Sequence, residues 1–182
     1  MNQNRKPTIG IQADAGAFLR RLAQLLPIAL PDSTRGRWTK WHETLLAQDA
    51  ERNGEIDRDA QMNTEFVNPV RLCQQIEDVI DYDSIVIGDG GDFVGTASYI
   101  VRPRSPLSWL DPGAFGTLGS GGGFALAAKL CRPTAETWLL YGDGSAGYSL
   151  AEFDTFARHN VPVIAVVGND ASWAQIARDQ VE

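Results

Sequence analysis

Cysteine is scarce in this chain of 182 residues: there are two, Cys73 and Cys131. Both fall inside apolar helical patterns, so they read as buried small hydrophobes and not as a disulfide framework. Basic runs are missing as well. Lys and Arg number 16 against 23 Asp and Glu, the net charge is −7, and no Lys/Arg cluster occurs, which argues against a nucleic-acid partner. No apolar stretch reaches the ~20 residues of a membrane span, and residues 1–7 are polar and basic, without the apolar centre of a signal peptide. No GxxxxGK[ST] run is present, which removes the P-loop way of holding a nucleotide. There are two histidines. His42, beside Trp41, reads as solvent-facing, and His159 reads as the end of a helix, where a cation suits the dipole. What remains is ordinary for a globular protein: 43% hydrophobic and 21% charged residues, in a length that makes one domain with a core and something more.

Three zones follow one another. In residues 1–33, Thr8 to Gln12 alternates like a short strand. Asp14 then caps a helix whose apolar residues, Phe18, Leu19, Leu22, Leu25 and Leu26, fall on one face, with Pro27 and Pro31 to end it. One strand and one helix cannot bury such a face alone, so this zone reads as the end of a domain that begins elsewhere. In residues 34–66, Trp38, Trp41 and Leu45 have helical spacing, and the mixed-charge stretch from Asp49 to Thr64 reads as a solvated linker.

From Val67 on the pattern is dense α/β. Asn68-Pro69 is a helix start, with Leu72, Cys73, Ile76, Val79 and Ile80 as the buried face. Ser84 to Ile87 is a short buried strand. Gly113 to Gly123 holds six glycines and leads into a helix at Phe124 to Leu130. Thr137 to Tyr141 is the next strand, Ser149 to Arg158 a helix, and Val161 to Val167 a third buried strand. Strands alternating with helices predict an α/β fold with a doubly wound parallel sheet.

In such a sheet ligands bind at the carboxyl ends of the strands. Three polar, glycine-bearing turns follow strands: Gly88 to Asp92, Gly142 to Ser145, and Gly168 to Ala171. Gly, Asp and Asn dominate ordinary turns too, so no single turn decides anything; their convergence on one edge is the signal. Glycines let backbone N–H groups approach a ligand, and helix N-termini favour anions. Asp143 and Asn169 offer two hard oxygens of the kind Mg²⁺ takes alongside phosphate and water. The residues alone therefore point to a phosphate ligand bridged by Mg²⁺, without saying which.

The run Gly142-Asp143-Gly144-Ser145, with Asn169 placed 26 positions after Asp143, resembles the metal and diphosphate motif of the thiamine-diphosphate-dependent enzymes. The segment from Trp109 to Gly119 is similar to the glycine-rich stretch that precedes the thiazolium pocket in that family. The stretch from Gly142 to Trp173 resembles the acetolactate-synthase-like branch that includes the 2-hydroxyacyl-CoA lyases. The resemblance implies that residues 1–33 end a middle domain, that 34–66 link, and that 67–182 form a pyrophosphate-binding domain incomplete at its C-terminal end. It implies Mg²⁺ held by Asp143, Asn169 and the main-chain carbonyl of Ala171. Gly90, Gly91 and Asp92 are then expected near the diphosphate, Gly119 and Gly121 along the middle of the cofactor, and Gly144 and Ser145 as donors to the diphosphate.

Two departures stand out. Gly121 occupies the place that the resemblance gives to a large side chain holding the cofactor bent, and Gly168 replaces the first of two asparagines. The family's catalytic glutamate belongs to a pyrimidine-binding domain outside this chain, so no residue of the chain takes a proton-transfer role. Glu152, in the helix after the GDG turn, is in the wrong place for one. The activity implied is lysis of a 2-hydroxyacyl-CoA to formyl-CoA and an aldehyde. The alternatives are acetolactate-synthase-type carboligation of pyruvate and a short form that lacks the pyrimidine domain and catalyses nothing. A homo-oligomer is implied, and for a longer parent the endoplasmic reticulum membrane; FAD stays open. Arg102 and Arg104, flanking Pro103, are either a solvated loop or a contact for a CoA phosphate. Trp173 packs either on the cofactor or in the core.

Overall fold

The computed structural model describes residues 6–29 and 32–181. The chain divides into two compact units, Met1–Gly54 and Glu55–Glu182.

The first unit is helical. The Asp14 carboxylate accepts the Ala17 N–H at 2.7 Å and opens helix α1 (Ala15–Ala29). The strand expected over Thr8 to Gln12 does not form, and the chain bends at Thr8 and Ile9. A strand exists only by pairing its N–H and C=O groups with a neighbour, and the sheet of the described residues lies wholly in the second unit. α1 also runs through Pro27 to Ala29, although a proline removes the bond to the carbonyl four residues back. Pro31 lies outside the described residues. The apolar row Phe18, Leu19, Leu22, Leu25 and Leu26 is on the surface. Helix α2 (Asp32–Gln61) carries Trp38 and Trp41 edge to face, ring centres 6.1 Å apart. The mixed-charge stretch read as linker is helical as far as Gln61. It contains no proline, and Ala, Glu, Arg and Gln, good helix formers, supply seven of the thirteen residues from Asp49 to Gln61, so a solvated helix and a linker have overlapping compositions.

In the second unit the last turns of α2 bury Ile56 and Ala60. Asn68 caps helix α3 (Pro69–Val79) as expected: its Oδ1 accepts from Val70 and Arg71 N–H, and its Nδ2 donates to the Asp59 carbonyl at 2.8 Å. Such a cap contributes about 1 kcal/mol. Cys73, Ile76 and Ile80 are buried, whereas Val79 is exposed; α3 ends at that residue and only Ile80, after it, turns inward.

Four parallel strands, β1 (Ile85–Gly88), β2 (Trp109–Leu110), β3 (Thr137–Gly142) and β4 (Ile164–Gly168), lie in the order β2-β1-β3-β4. Between and after them come α4 (Asp92–Ile100), α5 (Gly121–Cys131), α6 (Asp143–Ser149), α7 (Glu152–Arg158) and α8 (Ala174–Val181). Alternate residues of a strand face opposite sides, and the core divides accordingly. Ile85, Ile87, Leu139 and Tyr141 join Ala125, Ala128 and Phe156 in one layer. Val86 and Leu140 join Cys73, Ile76, Phe93 and Ala97 in the other. This is the doubly wound α/β arrangement expected.

Several details differ from expectation. α5 starts at Gly121, one turn before Phe124. The single helix expected over 149–158 is two, α6 and α7, and α4, β2 and α8 were not anticipated. β4 is an edge strand with Ile164 and Val167 exposed, not a buried one. Cys131 is exposed at the end of α5, because a helix terminus carries its last residue clear of the sheet. Cys73 is fully buried, and burial pushes its thiol up to about 12.

Candidate functional site

The strand order sets the position of the site. From β1 the chain crosses to β2 on one side, then returns over β1 to β3 and β4 on the other. The switch point therefore lies between the carboxyl ends of β1 and β3, where doubly wound sheets take ligands. All three glycine turns meet there.

The first two turns touch backbone to backbone. The Gly142 N–H donates to the Gly90 carbonyl at 2.8 Å, and the Asp89 N–H to the Leu140 carbonyl at 3.0 Å. Ser145, buried on α6, sends its hydroxyl to the carbonyls of both Gly90 (3.2 Å) and Gly142 (3.1 Å). Gly91 has φ +94°, and a Cβ there would stand 3.1 Å from the Gly142 Cα, so only glycine permits this approach. Asp92 begins α4 beside it.

The third turn is brought in by register. Gly142 of β3 pairs with Gly168 of β4, so Asp143 and Asn169 directly follow the ends of adjacent strands. Asn169 Oδ1 accepts the Ala171 N–H at 3.0 Å, and Ala171 takes the left-handed conformation at φ +52°. A carboxamide oxygen keeps a second lone pair after one hydrogen bond. The Asp143 carboxylate, the Asn169 amide oxygen and the Ala171 carbonyl are all hard oxygen donors and fit Mg²⁺ by chemistry. No group of three or more His, Cys, Asp or Glu suited to a metal occurs among the described residues, so a metal here would need such a mixed set. Trp173 is half exposed, with its ring over Gly144, where a Cβ would come within 2.8–3.1 Å of ring carbons. Trp173 thus belongs to the site and not to the core.

Gly119 and Gly121 also reach this place, and both donate their N–H groups to Asp89. A Cβ at Gly121 would lie 2.7 Å from Asp89 Cβ and Oδ2 and 2.8 Å from Leu139 Cδ1. Position 121 therefore faces inward, and a large side chain there would enter the core. The apolar side chain that leans on the first turn is Leu118, which covers Gly90. Asp89 itself is fully buried, accepting the Gly119 N–H on Oδ1 and the Gly121 N–H on Oδ2, both at 2.8 Å. Burial pushes its carboxyl above the usual range, against the lowering effect of the backbone N–H groups of Gly121, Gly119 and Ser120. Sequence reasoning missed Asp89 and Leu118. The available signal for Asp89 was an acid directly after an apolar strand.

The other candidates fall outside the site. Arg104 donates to the Glu77 carbonyl at 2.7 Å and pairs with its carboxylate at 3.3 Å, and the Glu77 carboxylate also accepts the Arg102 N–H at 2.8 Å. Arg104 therefore fastens the loop to α3. His159 ends α7, as expected, and His42 is exposed on α2. Glu152 packs against Gly122.

Comparison with known proteins agrees with this geometry. A family model described as "Thiamine pyrophosphate enzyme, C-terminal TPP binding domain" matches residues 89–182. A Danio rerio protein named 2-hydroxyacyl-CoA lyase 2 is 53% identical over 178 residues, which are 97% of this chain and 28% of the relative. The Homo sapiens protein of the same name is 51% identical over 97% of this chain and 27% of its own length. A protein of Mycobacterium bovis named probable acetolactate synthase is 45% identical over 59% of this chain and 20% of its own length. Among solved structures, a thiamine diphosphate-dependent 4-hydroxybenzoylformate decarboxylase of Rhodococcus jostii RHA1 superposes with a TM-score of 0.60 at 22% identity. It covers 65% of this chain and 22% of that one, a likeness of fold. The chain spans 27–28% of the length of the two animal relatives named as lyases.

Proposed function

Because this chain belongs to the thiamine pyrophosphate enzymes and carries their C-terminal TPP-binding domain, we propose that it supplies the diphosphate- and Mg²⁺-binding part of a lyase that splits a 2-hydroxyacyl-CoA into formyl-CoA and an aldehyde. The carrying observation is the register of Gly142 with Gly168, which sets Asp143 and Asn169 side by side next to the Gly90–Gly91 turn. The substrate class rests on the similarity to the animal proteins named 2-hydroxyacyl-CoA lyase 2 over nearly the whole chain.

In this reading Asp143, Asn169 and the Ala171 carbonyl hold Mg²⁺, and the main chain at Gly144 and Ser145 faces the diphosphate. Gly90, Gly91 and Asp92 line the same end. When bound, thiamine diphosphate supplies an electron sink for breaking a bond beside a carbonyl. The residues of this chain bind and orient. Leu118, leaning over Gly90, takes the bracing role that a side chain at position 121 has no room to play. Trp173 screens Gly144 from water. The proton-transferring glutamate is assigned to a partner domain, which makes an assembly of domains or subunits part of the proposal.

A second reading is carboligation of 2-keto acids of the acetolactate-synthase type. It is favoured by the Mycobacterium bovis similarity, although that match reaches only 59% of the chain. The two are separated by incubating the chain, assembled with the glutamate-bearing partner domain, with Mg²⁺, thiamine diphosphate and either a 2-hydroxyacyl-CoA or pyruvate. Formyl-CoA and aldehyde support the first, and acetolactate supports the second. The metal assignment is tested by calorimetry: Asp143→Ala is expected to abolish Mg²⁺-dependent cofactor binding, and unchanged affinity refutes it.

A further inference from the structure

We propose that Asp89 is a positioning residue whose buried carboxylate holds the glycine-rich segment Gly116–Gly121 in its binding shape before the cofactor arrives; this rests on the reading of the site as a thiamine diphosphate site. Asp89 directly follows β1, while the segment it holds lies some thirty residues further on and leads into α5. The two carboxylate oxygens take one amide each, Gly119 N–H and Gly121 N–H, both at 2.8 Å. These amides straddle Ser120, and Gly119 sits in the left-handed region at φ +85°. Ser120 stands at the N-cap position of α5 but makes no side-chain cap bond; its hydroxyl donates backward to the Thr117 carbonyl at 3.0 Å. The cap of α5 is therefore Asp89, reaching in from the neighbouring strand, and a carboxylate is favoured there by the helix dipole.

The arrangement is demanding. Asp89 is fully buried, and among the described residues no Lys or Arg pairs with it. A buried charge without a counter-ion is costly unless hydrogen bonds compensate it. Two acceptor oxygens facing two amides is an arrangement that a carboxylate meets and an asparagine does not, since its NH₂ would face one of the N–H groups. The glycine at 121 follows, because Asp89 occupies the space a side chain would need. The amides before α5 are thus turned inward to the protein's own carboxylate, and Leu118, between Gly116 and Gly119, is left leaning on the Gly90 turn. Such a segment is preorganised, and binding need not order it.

The test measures hydrogen exchange and thiamine diphosphate titration, with Mg²⁺ present, on wild type, Asp89→Asn and Asp143→Asn. In wild type the Gly119 and Gly121 amides are expected to exchange slowly even without cofactor. Asp89→Asn should speed exchange in residues 116–124 by about tenfold, the size of one lost hydrogen bond to a charged group, leaving β3 protected. It should also raise the cofactor's dissociation constant by a similar factor, with kcat of the assembled enzyme at saturating cofactor falling much less. Asp143→Asn should lose cofactor binding with the exchange of 116–124 unchanged. If wild type binds the cofactor and Asp89→Asn binds it equally well, or exchanges 116–124 no faster, the positioning role is wrong. If wild type does not bind it, the cofactor reading itself fails. Should Asp89→Asn not fold, wild type alone decides: amides at 119 and 121 that become protected only when cofactor is added overturn the proposal.

Discussion

Gly121→Ala adds one methyl group, and the structure says where it goes. The new Cβ would stand 2.7 Å from both Asp89 Cβ and Oδ2 and 2.8 Å from Leu139 Cδ1. Asp89 and Leu139 are both fully buried, so neither has solvent to move into. Overpacking of this kind costs about 1–3 kcal/mol. Displacing the carboxylate also weakens its bond to the Gly121 N–H, at about 1–3 kcal/mol for a buried charged acceptor. Against this, alanine gains up to about 1 kcal/mol over glycine in a helix. The net expectation is a loss of roughly 1–5 kcal/mol, and each kcal/mol moves Tm by roughly 2–4 °C at this chain length. The control is two residues away. Gly123 is in the same first turn of α5 and has nothing within 4 Å of its would-be Cβ, so Gly123→Ala should be neutral or slightly stabilising. Urea unfolding followed by tryptophan fluorescence compares the two. If Gly121→Ala is as stable as Gly123→Ala, Asp89 is not packed beneath position 121, and the account of the glycine-rich segment fails with it.

Gly144→Ala should be tolerated by the fold, because the obstacle is the half-exposed ring of Trp173, which can swing out. It should still weaken thiamine diphosphate binding, and an altered tryptophan emission should report the displaced ring; unchanged emission with weakened binding would mean that the ring never covered Gly144. In a thiol-labelling assay Cys131, which is exposed, should react at once, while Cys73 should react only at the rate of unfolding, since it is buried and its thiol is raised to about 12; equal rates would contradict the packing of α3. For Asp89 the sign of the pH dependence follows from a carboxyl whose folded pKa is raised by burial. Its contribution favours the fold fully below the ordinary aspartate value of about 3.9 and is lost as pH rises through the folded value. The stability of wild type relative to Asp89→Asn should therefore fall as pH climbs from about 4, and a rising difference would show a lowered pKa instead.

The parts of this molecule that were legible in the sequence are those where one local signal suffices. Asn68-Pro69 opens a helix by its own chemistry, and the short apolar runs around Ile85 and Leu139 form strands buried on both faces. The convergence of the Gly90, Gly142 and Gly168 turns was legible for the same reason: parallel strands must end on one edge, and the pairing of Gly142 with Gly168 makes it so. What escaped needed knowledge of direction. Thr8 to Gln12 alternates like a strand, yet alternation does not supply a partner. The stretch from Asp49 to Gln61 has linker composition and helical geometry, because a helix that few neighbours cover has no apolar stripe to announce it. Gly121 posed the same difficulty at the site. A glycine in a glycine-rich run looks like room left for a ligand, whereas here the room is taken from beneath by a buried carboxylate that arrives from another strand. Whether a missing Cβ points toward a ligand or into the core depends on how the segment is rolled about its own axis. That roll is fixed by Asp89 taking two amides on one side of the chain. It follows that a side chain at position 121 would enter the core, while Leu118 is the side chain presented to the Gly90 turn.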